Sequence, residues 1–164
     1  MFRYQPEADK LHLNIALIEM TIIEEIRSAW GWSGLVPDEI VGQNDFGNIL
    51  VRDMDGVYWR ICPEELGCEV IAKSRAQLDK LSNDQEFLQD WYMKSLVTVA
   101  KSKLGLLSDG RKYCLKIPGV LGGKYDESNL ATISLVELIR SSGHLANEVR
   151  ELPDGAQIKL SVVG

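Results

Sequence analysis

The stretch KIPGVLGGKYDESNL, residues 116–130, sets three glycines and a lysine behind an apolar run, the setting in which backbone N–H groups cradle a phosphate. That chemistry needs four residues between the first glycine and a Gly-Lys pair, then a serine or threonine for magnesium. From Gly119, only Val120, Leu121 and Gly122 precede Gly123-Lys124, and Tyr125 stands where the hydroxyl belongs. The spacing is one residue short, and GxGxxG does not fit either. A nucleotide loop is excluded. Pro118 instead ends a strand, the glycines admit positive φ, and Asp126 or Ser128 starts a turn or cap.

Other chemistry has little to draw on. The two histidines, His12 and His144, stand near no nucleophile motif such as GxSxG. Cys62, Cys68 and Cys114 form no CxxC and cluster with no histidine, so neither a zinc site nor an internally complete disulfide set follows. They read as reduced thiols of a cytoplasmic protein, two of them in the core. No metal or cofactor is expected. Carboxylates are plentiful, at Asp53 and Asp55, Glu64 and Glu65, and Asp126 and Glu127. Paired acids can run glycoside or metal-assisted hydrolysis. At turn tips and helix starts, however, acids ordinarily serve turn geometry, capping and solvation.

The elements that must position these residues are readable in outline. Leu17, Ile18, Ile22 and Ile26 recur at helical spacing, predicting a helix over 14–30 that Gly31 and Gly34 end. An irregular piece leads into ILVRDMDGVYWRIC, where Asp55-Gly56 marks a hairpin. With a two-residue loop, Met54 faces Val57, Arg52 lies across Trp59, and Leu50 faces Ile61. CEVIAKS adds a third strand to the meander. Ser74 starts a short helix over 74–81, and Ser82 with Gln85 caps a long helix over 82–104. RKYCLKIP reads as a strand, and SLVELIRSSGHLANEVREL contains a helix that either passes or breaks at Gly143. AQIKLSVV alternates like a final strand. The expected architecture is α+β, a mostly antiparallel sheet against several helices, in a single domain over 1–164.

The chain has 164 residues, 45% of them apolar and 26% charged, a globular composition. Its most apolar stretch, Ile15 to Ile26, is interrupted by Glu19, Thr21, Glu24 and Glu25, so no membrane span is expected, and MFRYQPEADK lacks the features of a secretory signal. The net charge of −6 argues against nucleic-acid binding, which needs a lysine and arginine surplus. It suits solubility, or a basic partner. Of the aromatics, Trp30, Trp59 and Trp91 sit on apolar faces, whereas Trp32 and Tyr125 fall in loops.

The order of short motifs carries more than any one of them. Phe46-Gly47, Asp53 to Trp59, Pro63, the 82–104 helix, Lys116-Ile117-Pro118, Leu121 to Asp126, Asn129-Leu130 and Leu152 to Gly155 together resemble the type VI secretion DNase-immunity family, over about residues 28–162. The resemblance implies a non-enzymatic, cytoplasmic antitoxin that binds a cognate DNase effector as a protein–protein complex of one to one. Longer relatives carry an additional N-terminal domain, and here the first ~30 residues are only a helix, shorter than a domain usually is. The contacts expected from exposure are the acids Asp45, Asp53, Asp55, Glu64, Glu65, Asp126 and Glu127, with Trp32 and Tyr125 as apolar anchors. The alternative readings are a small carboxylate-dependent hydrolase and a regulatory module whose partner is unrelated to toxins.

Overall fold

The computed structural model describes residues 6–160, with side chains in the first helix from Asn14 onward. The chain runs through helix α1 (Pro6–Trp30) into strands β1 (Pro37–Gln43), β2 (Ile49–Asp53), β3 (Tyr58–Cys62) and β4 (Gly67–Ala72). Helices α2 (Arg75–Leu81), α3 (Gln85–Tyr92) and α4 (Lys94–Leu104) follow, then strands β5 (Arg111–Leu115) and β6 (Leu130–Ser134) and helix α5 (Leu135–Val149). The first four strands form one antiparallel sheet in chain order, and β5 pairs with β6 in a second. This is the α+β, mostly antiparallel arrangement the sequence predicts.

Both faces of the larger sheet are covered. Ile49, Val51 and Ile61 pack with Ile22, Ile26 and Trp30 of α1 and with Leu135 and Ile139 of α5. On the other face Leu50, Tyr58 and Ala72 meet Leu78 of α2 and Trp91 of α3. A third cluster joins α4 to the small sheet through Phe46, Val97, Ala100, Tyr113 and Leu130.

Several local expectations fail, each for a physical reason. The β2–β3 loop holds three residues, with Gly56 at φ 80° and the Asp53 N–H donating to the Val57 carbonyl at 2.8 Å. The register therefore slips by one, which exchanges side-chain faces. Val51 faces Trp59 and Arg52 faces Tyr58. Arg52 leaves the tryptophan and bridges to Asp38 and Glu39 on β1, at 2.7 and 3.2 Å. Residues 37–43, read as irregular, form the edge strand β1, whose two register shifts hide its pattern.

The helix expected over 82–104 is two. Asp84, not Ser82, supplies the N-cap by accepting from the Phe87 N–H, and Met93 interrupts the run at φ 47°. The interruption has a tertiary cause. The Asn44 side-chain amide captures the Trp91 carbonyl at 2.8 Å, an acceptor that a continuing helix would use internally. Residues 130–134 are a strand that the sequence reading missed. The expected final strand is absent over 156–160, and its last residues lie outside the described ones. Ile158 and Leu160 instead face a hollow shared with Val120 and Leu152.

Helix α5 passes Gly143 unbroken, because that glycine is where α5 crosses α1. A Cβ there would lie 2.5 Å from the Ala29 carbonyl oxygen and 2.8 Å from the Ala29 Cβ. Gly143→Ala should therefore lower the unfolding free energy by about 1–3 kcal/mol, the usual cost of overpacking, despite alanine's better helix propensity. Urea denaturation of the two proteins checks this; an equal or higher midpoint for the variant would contradict the close crossing.

Candidate functional site

The turn between β1 and β2 organises the polar interior. Asn44 and Asn48 are both buried there, and the Asn44 carboxamide oxygen accepts from the N–H groups of Phe46 (3.0 Å) and Asn48 (2.9 Å). Asn48 then works at both ends. Its Nδ2 donates to the two Glu64 carboxylate oxygens at 3.0 and 2.8 Å, and its Oδ1 accepts from Arg60 Nε at 2.9 Å. Arg60 continues outward to ion-pair with Asp90 on α3, its guanidinium 5.4 Å from the Trp91 ring. A backbone bond from Tyr113 N–H to the Asp45 carbonyl, 2.9 Å, ties the small sheet to the same turn.

This network forms the floor of a cleft of about 640 Å³ at the end of β3. Glu64, Glu65, Glu69 and Asp90 line it with Arg60 as the one lysine or arginine among the described residues, and Met93 and Tyr125 give it an apolar side. Glu64 is 7% exposed, while Glu65, Glu69 and Asp90 face solvent. Burial, joined by the charge of Glu64, pushes the Glu65 carboxyl above its ordinary value. The Cys62 thiol at the rim is pushed far up, by burial first and then by Glu64, which disfavours the thiolate a nucleophile would need. Among the described residues, no three His, Cys, Asp or Glu side chains are placed to hold a metal ion.

The glycine-rich stretch builds the wall. Asn129, buried, binds it back to the β5 end: its Oδ1 accepts from the Ile117 N–H at 2.9 Å, and its Nδ2 donates to the Ile117 and Lys124 carbonyls at 2.8 and 3.0 Å. Gly123 passes so close that a Cβ would sit 1.8 Å from the Ile117 oxygen. Packing, not phosphate, requires that glycine. Tyr125, 46% exposed, stands beside Gly119 and Glu65 at the cleft edge.

The expected contact residues thus separate. Glu64, Glu65 and Tyr125 come together in the cleft. Two of the acids expected at the surface are buried, Asp53 as well as Glu64. Asp53 accepts from the Asp55 and Val57 N–H groups and from the Trp59 indole at 2.7 Å, so its carboxylate is committed to the hairpin. Trp32 is no free anchor: it stacks on Trp30, with its indole donating to the Ala29 and Gly143 carbonyls at 2.9 and 3.1 Å. Asp55 is exposed at the opposite end of the hairpin, roughly 16 Å along β3 from the cleft. Asp126 and Glu127 are exposed on the turn after Tyr125, where Asp126 caps Ser128, and Asp45 lies on the far side of its turn, toward α1. Arg60, Glu69, Asp90 and Met93 were missed. Arg60 and Glu69 face each other across β3 and β4, a pairing visible only once the register is known.

Asp53 carries a pH signature. Burial pushes its carboxyl up, but the hydrogen bonds from Trp59, Val57 and Asp55 outweigh this and hold it below the ordinary 3.8. Its folded value is thus the lower one, so its stabilisation is present above about pH 4 and is lost as pH falls through the folded value. Asp53→Asn removes the indole bond's acceptor, which should cost about 1–2 kcal/mol at pH 7. The difference between wild type and variant should shrink toward pH 2. Thermal melts across pH 2–7 test it, and a constant difference would refute the assignment.

Residues 72–146 match the family model for T6SS immunity protein Tdi1, C-terminal. No curated protein sequence matches the chain. The matched stretch runs from the last residue of β4 through most of α5 and includes Asp90, Met93 and Tyr125 of the cleft. Helix α1 and strands β1 to β3 lie before it. No helix among the described residues is long and apolar enough to cross a membrane.

Proposed function

We propose that this chain is a non-catalytic immunity protein that binds one molecule of a cognate DNase effector in the cytoplasm and covers its DNA-gripping surface. The cleft is the observation that carries this reading. A nuclease grips phosphates with lysine and arginine side chains, and four carboxylates around a single guanidinium offer those side chains a competing partner. Charges held on a rigid floor also steer a cationic partner inward, and steering raises association rates more than it raises affinity. The immunity match over 72–146 supports the antitoxin role. Glu65 and Tyr125 are the contacts retained from the sequence reading, with Glu69 and Asp90 added beside them and Glu64 as the buried charge behind.

The test is plasmid degradation by the nuclease encoded beside this gene, titrated with the purified protein, with an unrelated nuclease as control. Protection should be complete near one equivalent and absent for the control. The exposed pair Glu65→Lys with Glu69→Lys should melt like wild type yet associate about tenfold or more slowly at low salt, a gap that closes as salt screens it. Unimpeded cutting with no complex on mixing would reject the reading.

A further inference from the structure

β4 is the outer strand of the four-stranded sheet, with β3 on one side and no strand beyond it among the described residues. The hairpin bond from the Asp53 N–H to the Val57 carbonyl sets the phase of the ladder. Bonded and non-bonded positions alternate in antiparallel pairs, so Trp59 and Ile61 bond to β2 while Arg60 and Cys62 turn to β4. On β4, Gly67 and Glu69 answer them, which leaves the N–H and C=O groups of Cys68 and Val70 aimed outward. Among the described residues, no other element bonds to these four groups. The other edges are better guarded. β1 opens on Pro37, shifts register twice and pairs Asp38 and Glu39 with Arg52. In the small sheet, the Tyr113 N–H is taken by the Asp45 carbonyl. β4 has one register shift, at the end away from the cleft, and one charge, Glu69.

This edge opens into the cleft. Gly67, Cys68 and Glu69 all line it, although successive side chains on a strand alternate faces. Cys68 turns its thiol to Ser33 and the core cluster on the other face, so it meets the cleft through its backbone. The two sides of the edge then specify what fits. On the cleft side, a residue opposite Glu69 would fall in a non-bonded pair, where side chains come closest, with Glu65 and Asp90 nearby. Arg60, the cation there, is already held by Asn48 and Asp90, and Lys73 follows the strand only at its far end. On the other side stand Cys68 and Val70, the latter 41% exposed beside Trp59. A second copy paired edge to edge would set Glu69 and its cleft beside the same charges. Resting on the immunity reading above, we infer that β4 is completed in the toxin complex by an extended segment of the cognate nuclease, which bonds to Cys68 and Val70 through its backbone. The segment alternates, with lysine or arginine toward the cleft and apolar residues toward Val70. Its backbone bonds give affinity, and the alternation gives specificity.

The experiment measures binding of the cognate nuclease, by calorimetry, to wild type and to Val70→Pro. The Val70 N–H points away from β3, so proline removes no bond of the sheet and the melting temperature should hold. No charge changes either. Affinity should therefore fall about tenfold or more at low and high salt alike, unlike the salt-closed gap expected of Glu65→Lys with Glu69→Lys. Amide hydrogen exchange asks the same question without a substitution. Cys68 and Val70 should exchange freely in the isolated protein and become protected in the complex. If wild type binds while Val70→Pro binds within about threefold, or both amides stay unprotected in the complex, this inference is wrong and the immunity reading stands. If wild type does not bind the nuclease, both fall together. Protection of these amides in the isolated protein, by a second copy or by another part of this chain, likewise overturns the inference.

Discussion

The structure depends on one buried carboxylate. Glu64 sits 7% exposed with no lysine or arginine among the described residues within ion-pair distance, held through both oxygens by the Asn48 amide. A carboxylate in such a place is costly unless donors replace its water. The replacement is organised in layers. Asn44 fixes the turn that presents Asn48, Asn48 orients its amide toward Glu64, and Arg60 closes the other end of that amide. The same Asn44 interrupts the helix at Met93 by taking the Trp91 carbonyl. One turn of five residues thereby decides where α3 ends, how β3 and the 63–65 turn are joined, and where the small sheet attaches. Removing Asn48 would leave the charge buried without its donor, a larger loss than the bond itself contributes.

That arrangement also shapes the electrostatics of the cleft. Salt screens exposed charges beyond about 8–10 Å, but buried charge much less. Glu64 therefore contributes a persistent negative potential beneath the exposed Glu65, Glu69 and Asp90. Arg60 tempers it from one side only, because its guanidinium is already engaged by Asn48 and Asp90. Burial first, and then the like charge of Glu64, raises the Glu65 carboxyl. A cation entering the cleft would relieve that repulsion.

Much of the fold was legible because its signals are local. Ser74 as the start of a short helix and the Asp-Gly hairpin each announce themselves within a few residues. What was illegible was tertiary. The hairpin register turned on one loop residue, which moved Arg52 from Trp59 to β1. The split at Met93 was set by Asn44, 49 residues away in sequence. The alternation of AQIKL promised a strand, but alternation makes a strand only where an edge accepts one. The site divided along the same line. Turn acids were found by type, but type does not tell a solvated acid such as Glu65 from Asp53, whose oxygens the hairpin consumes.

Recognition by such a protein has to reconcile a shared fold with a private partner. Contacts built on buried networks are precise and preorganised, so little entropy is lost when a partner settles on them. They are also hard to change, because Glu64, Asn48 and Asn44 must alter together or leave a polar group unpaired. Exposed positions are free of that constraint. Glu65 and Glu69 on the cleft rim can be exchanged without reopening the core. In the proposed complex, the negative floor draws a cationic surface inward. Discrimination between toxins then falls to the rim, where a misplaced like charge costs affinity without costing stability.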